Sequence, residues 1–357
     1  MAFDTASHRT IEQILGKAKV PGAVVARVRS TGIDAITSFG YADLSERRAT
    51  TTDAAFHLYS GTKLFTASAL MLLSEQGKVD LDADIRPLFP EADFDKGVTA
   101  RQLASHSSGL PDTLRAFFAV HFPGEPRPST DDALQRYRLA GGKTPGRTAE
   151  YRNVNYAILG ELIARSAETT YEDFVQRSLL DPWGSNAKFE SGLATGLATG
   201  YVRRFSLMPL VCRFLIGKRG THVFNEHVGS YLSLRPFDLD TAATGGLIGC
   251  AADFAPMVAE FVSDRNGVLR ADTRRSMLEQ VARGAAGIAS TSGVGIGWKH
   301  GKWNGCEFWN HEGGGPGYCS ELRIYPRQQI GFVILMNLSQ SRGLSWMCHE
   351  LCEQLRK

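Results

Sequence analysis

Strand-forming runs sit at the two ends of the chain and helical periodicity fills the middle, which constrains the fold more than any other feature. Alternating or β-branched stretches run from Gly22 to Ser30 (GAVVARVRS) and from Ala35 to Asp43 (AITSFGYAD), separated by a turn containing Gly and Asp, the pattern of a β-hairpin. The C-terminal third repeats this style with GVGIGWKHG from Gly293, GCEFWNH from Gly305, SELRIYP from Ser320 and QIGFVILMN from Gln329. Between the ends, LFTASALMLLSEQG after Lys63, NYAILGELIARSA from Asn155 and FAPMVAEFVSD from Phe254 carry apolar residues three and four apart, as amphipathic helices do. The last segment, LSWMCHELCEQLRK, reads as a helix ending in basic residues, which its dipole favours.

At 357 residues the chain is longer than one small core fills. The expectation is an α/β (α+β) fold: an antiparallel sheet of about five strands built from both chain ends, flanked by helices, with a mostly helical insertion. Residues 1–78 and 246–357 would form the α/β region and 79–245 the insert. The stretch from Phe117 to Lys143, with PGEPRPSTDD and GGKTPG, reads as surface loop. A net charge of +3, from 40 basic and 37 acidic residues, is too balanced for a nucleic-acid binder. Apolar runs such as ALMLL and FVILM fall far short of the roughly 20 residues of a membrane span. The N-terminal segment shows no basic start followed by an apolar core and a cleavage site, so a cytoplasmic protein is expected. The six cysteines form no C-x-x-C pair and sit mostly among apolar residues, as reduced, packed thiols do. Cys348 and Cys352, one helical turn apart, have no His or carboxylate spacing that would add metal ligands, and HVFNEH from His222 to His227 matches no standard ligand pair.

Several chemistries are missing: there is no G-x-S-x-G, no G-x-x-x-x-G-K-[ST], no H-E-x-x-H and no dinucleotide-binding glycine fingerprint. What stands out is Ser60-Gly61-Thr62-Lys63, an S-x-x-K opening a long apolar helix. Residues three apart share a helix face, so the Lys63 amine reaches the Ser60 oxygen. The helix N-terminus favours a developing alkoxide, and the dipole together with burial favours a neutral amine that can act as base. The pattern alone is weak, since about one S-x-x-K is expected by chance in such a chain. A second copy, Ser185 to Lys188, follows the loop sequence Asp181-Pro182-Trp183-Gly184 and opens no long helix. Tyr151-Arg152-Asn153 lies before another apolar helix. Its tyrosine is able to shuttle a proton and its asparagine to donate an amide, although a packing tyrosine and a helix-capping asparagine would read the same. In WNHEGGGPGYCSELRIYP, His311 and Glu312 precede glycines Gly313 to Gly315, which let backbone approach a ligand; a glycine-rich hairpin is the plainer alternative.

These three elements, in this order, resemble the serine β-lactamase and penicillin-binding-protein superfamily, and within it the class C β-lactamase-like branch of esterases and peptidases. LASHSSGLPD from Leu103, TAATGGLIGCAADFAPMV from Thr241 and GVGIGW extend the likeness over nearly the whole chain. The resemblance implies a β-lactamase/transpeptidase-like fold and a serine hydrolase that works through an acyl-enzyme without cofactor or metal. By that likeness Ser60 is the nucleophile, Lys63 its base and Tyr151 the proton carrier to the leaving group. Asn153 would orient Lys63 or the substrate, His311 and Gly313 belong to the third motif, and the backbone N–H groups of Ser60 and Gly314 would form the oxyanion hole. His311 stands where that family usually has Lys, and Glu312 where it has a hydroxyl residue; both departures point away from anionic β-lactams. Gly61, also unusual there, leaves a smaller wall.

The leading expectation is therefore a carboxylesterase on short to medium acyl esters, with an amidase or D-peptidase, a β-lactamase, or a non-catalytic penicillin-type binding or sensor module as alternatives. A small-molecule ester or amide is the expected partner, with no nucleic acid and no membrane span, and a homo-oligomer is compatible with the sequence. Finally, Tyr201 to Phe224 mixes large apolar residues with Arg203, Arg204, Arg213, Lys218 and Arg219. A core-facing helix with a solvated edge is the plain expectation there, and a hydrophobic lid or membrane-surface patch the sharper one.

Overall fold

The computed structural model describes residues 1–94, 96–111, 119–137, 139–216, 219–284, 291–339 and 342–356. Part of the expected loop from Phe117, together with Asp112 and Lys218, lies outside the described residues.

A ten-stranded sheet organises the chain. Its strands are β1 (Gly22–Arg29), β2 (Gly32–Asp43), β3 (Arg48–Ala49), β4 (Thr148–Ala149), β5 (Ala282–Gly284), β6 (Thr291–Val294), β7 (Lys299–Trp303), β8 (Cys306–Gly315), β9 (Tyr318–Tyr325) and β10 (Ile330–Met336). They lie in the order β3-β2-β1-β10-β9-β8-β7-β6-β5-β4. The N-terminal hairpin joins the C-terminal one through β1 and β10, with Ala23 opposite Met336 and Val28 opposite Gly331. Every pairing is antiparallel except that of β4 with β5.

The expectation of about five strands is corrected to ten. β3 and β4 are two residues long and β5 three, too short for a period-2 signal. The run from Gly293 is also not one strand, because Gly297 takes φ +81 in the turn that separates β6 from β7.

Both faces of the sheet are covered, which explains why β1 and β10 are apolar without clean alternation. Ala23 and Val25 pack with Ile11 and Leu15 of α1 (Thr5–Lys17) and with Met347 and Leu351 of the C-terminal helix. Val24, Ala26 and Val28 face the larger core, with Leu64 and Phe65 of α2 (Thr62–Glu75) and Ile158 and Leu162 of α3 (Asn153–Ala167). α1 starts where the Asp4 carboxylate accepts from the N–H groups of Ala6 and Ser7, and Lys17 closes its last turn. In the region read as loop, Val120–His121 forms a short strand with Asp238–Leu239, and Ser129 caps a helical turn over Thr130–Leu134. No helix among the described residues is long and apolar enough to cross a membrane.

Candidate active site

α2 carries the S-x-x-K motif at its start. Ser60 lies in a 3-10 turn, Tyr59–Gly61, that runs directly into the helix. Tyr59 holds φ +47, a backbone conformation that bulky residues rarely adopt. Its ring is fully buried and its hydroxyl donates to the Pro316 carbonyl at 2.6 Å, so surrounding structure fixes the turn ahead of Ser60. Gly61 does not widen the site as its lack of a side chain suggested: a Cβ there would come within 2.8 Å of Leu58 Cγ, so Leu58 fills that space.

Lys63 is fully buried, and its Nζ donates to Ser60 Oγ (3.2 Å), Asn153 Oδ1 (3.0 Å) and the Thr244 carbonyl (2.7 Å). When this amine is neutral, two of these acceptors hold its two N–H bonds and the lone pair faces the Ser60 hydroxyl, the geometry a general base requires. Asn153 is the first residue of α3, one after the capping position, and its side-chain oxygen accepts from Lys63. Thr244 contributes only backbone, from the helical turn Ala242–Gly245, which packs on α2 through the Thr66 hydroxyl donating to the Ala243 carbonyl.

Tyr151, two residues before α3, lies beside both strands and helices. The Lys63 ammonium is 5.2 Å and the Lys299 ammonium 5.0 Å from its ring centroid, and the His106 ring is 4.4 Å away. Its hydroxyl reaches His311 Nε2 at 3.5 Å. His311 Nδ1 is 2.6 Å from the Gly297 carbonyl and must carry the proton to that oxygen, which leaves Nε2 as the acceptor from Tyr151. Burial, and then Lys299 and Lys63, push the His311 pKa well below its usual value, so the ring is neutral. His106 is likewise held neutral, by burial first and Lys63 second. Its Nδ1 faces the Arg152 backbone N–H and the Asn155 amide.

β7 begins at Lys299 opposite Asn310, so from His311 to Gly315 β8 is paired only with β9 among the described residues. The free edge meets the turn that carries Ser60. A Cβ at Gly313 would lie 2.0 Å from the Leu58 carbonyl oxygen and 2.2 Å from Ser320 Oγ, and one at Gly315 2.6 Å from the Tyr59 ring. Close approach of backbone to backbone is what these glycines permit. Gly313→Ala should therefore cost about 1–3 kcal/mol and depress activity, because the clash is with main chain. Urea unfolding checks this, and unchanged stability would show that β8 stands further from Leu58 than described.

Glu312 corrects one expectation. Strand alternation turns it away from His311, towards its cross-strand partner Glu321, and the charges of Lys299, Arg323 and His349 act on it as well. Burial, and then Glu321, push its pKa up. It does not place negative charge beside Ser60. Tyr151 has instead the Lys63 and Lys299 amino groups near its ring.

Ser60, Lys63, Asn153, Tyr151, His311, Gly313 and Gly314 are thus gathered at one seam of sheet and helices. Sequence reasoning gave no role to three contributors, Thr244, Lys299 and His106, although each lies within a stretch quoted above. The second S-x-x-K is not helical; Lys188 pairs through its backbone N–H with the Ile248 carbonyl. Cys250, Cys306, Cys319, Cys348 and Cys352 are free thiols. Among the described residues, no three His, Cys, Asp or Glu side chains are grouped to hold a metal ion.

The profile of the family described as Beta-lactamase matches residues 8–345. Penicillin-binding protein 4* of Bacillus subtilis (strain 168) is 34% identical over 151 residues, 42% of this chain and 33% of that protein. Protein flp of Staphylococcus aureus (strain N315) is 26% identical over 179 residues, 49% of this chain and 36% of that protein. The matched part thus spans about a third of the length of these relatives. Among solved structures, D-amino acid amidase from Ochrobactrum anthropi SV3, complexed with D-phenylalanine, superposes with TM-score 0.81 at 21% identity over 99% of both chains. The octameric penicillin-binding protein homologue from Pyrococcus abyssi superposes with TM-score 0.80 at 22% identity, over 99% of this chain and 78% of that one.

Proposed function

Because the chain belongs to the Beta-lactamase family, we propose that it is a serine hydrolase acting through an acyl-enzyme, with esters of short to medium acyl chains as its preferred substrates. The observation that carries this reading is the buried Lys63 amine, held by Asn153 and the Thr244 carbonyl with its third contact on Ser60 Oγ. Neutral Lys63 takes the Ser60 proton as Oγ bonds to the ester carbonyl carbon, and the oxyanion is met by the backbone N–H groups of Ser60 and Gly314. Tyr151, between two ammonium groups, delivers the proton to the departing alkoxide as the C–O bond breaks. Water then attacks the acyl-enzyme and returns Ser60. Neutral His311 at the third motif suits an uncharged ester better than an anionic β-lactam.

Amide hydrolysis is the second reading, and Lys299 is what favours it: its ammonium, 5.0 Å from the Tyr151 ring centroid, would strengthen Tyr151 as a proton donor to a poor leaving group. p-Nitrophenyl acyl esters, D-amino-acid amides and nitrocefin, assayed on wild type and Lys299→Met, separate the readings. The proposal expects the esters to be turned over fastest, with Lys299→Met changing ester kcat/KM by less than about tenfold. Turnover of amide or nitrocefin at rates equal to the best ester would overturn the ester assignment.

A further inference from the structure

The stretch from Tyr201 to Phe224 reaches the core through Tyr201, Val202, Ile216 and Val223, but between them it carries apolar side chains that face outward. A short strand, Tyr201–Arg203, leads through a turn into α4 (Met208–Ile216). Phe205, Leu207 and Leu210 are 85%, 77% and 67% exposed, and Val211 and Phe214 are exposed too. These five are half of the ten exposed large apolar side chains among the described residues, and they fall within ten positions. The segment is joined to the rest of the fold at several points, among them the Arg204 backbone N–H, which donates to the Ser230 carbonyl. Ile216 and Val223 are buried, Arg203 donates to the Ala18 carbonyl and Arg219 pairs with Glu125.

Charge singles out the same segment. Residues 201–219 hold Arg203, Arg204, Arg213, Lys218 and Arg219 and no acidic residue. Taking these five charges from the chain's net +3 leaves −2 for all other residues, so the cationic character of the protein resides here. Arg204 and Arg213 are exposed and have no carboxylate in ion-pair range among the described residues; the Arg204 guanidinium lies 5.1 Å from the centre of the Phe205 ring.

We propose that this segment seats the protein on an anionic lipid surface, with Phe205, Leu207 and Leu210 entering the acyl boundary and the arginines meeting phosphate headgroups. A short apolar projection ringed by cations is the chemistry of interfacial attachment, in which insertion and headgroup attraction act together. A second copy of the chain is the weaker occupant. A two-fold contact would bring this patch against itself and set the exposed Arg204 and Arg213 against their own copies.

The test is co-sedimentation of the full chain with large unilamellar vesicles of phosphatidylcholine alone or mixed with phosphatidylglycerol. Binding should be at least about tenfold tighter on the anionic vesicles and fall steeply with added salt. The double variant Phe205→Ser/Leu210→Ser should lose about tenfold on the anionic vesicles while keeping wild-type circular dichroism and thermal unfolding. Arg204→Glu/Arg213→Glu should abolish the preference for phosphatidylglycerol. Wild type that stays in the supernatant with anionic vesicles, or serine and glutamate variants that bind as well as wild type, would overturn the proposal. So would a lipid-free wild-type dimer, seen by sedimentation velocity, that the serine variant dissolves, because the patch would then be covered by a second copy.

Discussion

Ser60→Ala is expected to leave a folded protein whose hydrolysis of p-nitrophenyl butyrate is at least about a thousandfold slower than that of wild type. The substitution removes the 3.2 Å hydrogen bond from Lys63 to Ser60 Oγ, while Lys63 keeps Asn153 Oδ1 and the Thr244 carbonyl as acceptors. Stability should therefore change little while the chemistry is lost. Lys63→Met should cost a similar factor, because an unassisted serine hydroxyl is a weak nucleophile at neutral pH. The double variant should be scarcely worse than either single one, as expected of groups that act as a unit. Steady-state kcat/KM on the three variants is the check, and losses that multiply would show that Ser60 and Lys63 act separately. Lys63→Met has its own structural cost: it removes the Lys63 donor from the buried Asn153 and Thr244 oxygens, worth about 1–3 kcal/mol, so unfolding must be measured alongside.

Acid should destabilise the fold well before its carboxylates titrate. His57 lies between the rings of Tyr59, Phe237 and Tyr318, 4.8–5.5 Å away, with neither ring nitrogen bonded to protein, and burial lowers its pKa to about 3. The unfolded chain takes up this proton near pH 6.5 and the folded chain only near pH 3. Between those values the unfolded state binds more protons, so stability is complete above pH 6.5 and declines as pH falls. At pH 5 the His57 contribution is about 2 kcal/mol. His106 and His311, also lowered by burial first, act in the same direction. His57 pairs with Ile248 in the short ladder just before Ser60, so its protonation strains the site as well as the fold. Urea unfolding at pH 7.5 and pH 5 should show the loss, and His57→Phe should recover about 2 kcal/mol of it. A variant with wild-type pH dependence would mean that His57 is not held neutral.

Much of this was legible in the sequence because the signals are local. The terminal hairpins read as strands from their β-branched runs, and Ser60 and Lys63 share a face because helical spacing puts them there. What the sequence hid are relations between distant segments. Thr244 acts through its carbonyl, which no side chain advertises, and Lys299 is an ordinary lysine until the end of β7 sets it over Tyr151. Glu312 was misread from nearness to His311 along the chain, when alternation sends it to the opposite face. Around α4 the apolar pattern does not tell which side chains the fold covers: Ile216 is buried, whereas Phe205, Leu207 and Leu210 are exposed.

The central claim is that Ser60 carries the acyl group, and intact-protein and peptide mass spectrometry after rapid acid quench of enzyme with p-nitrophenyl butyrate tests it most directly. A transient gain of about 70 Da on the peptide containing Ser60, formed together with a burst of p-nitrophenol and absent in Ser60→Ala, is the predicted result. Modification at another residue, or ester turnover that persists in Ser60→Ala, would contradict it.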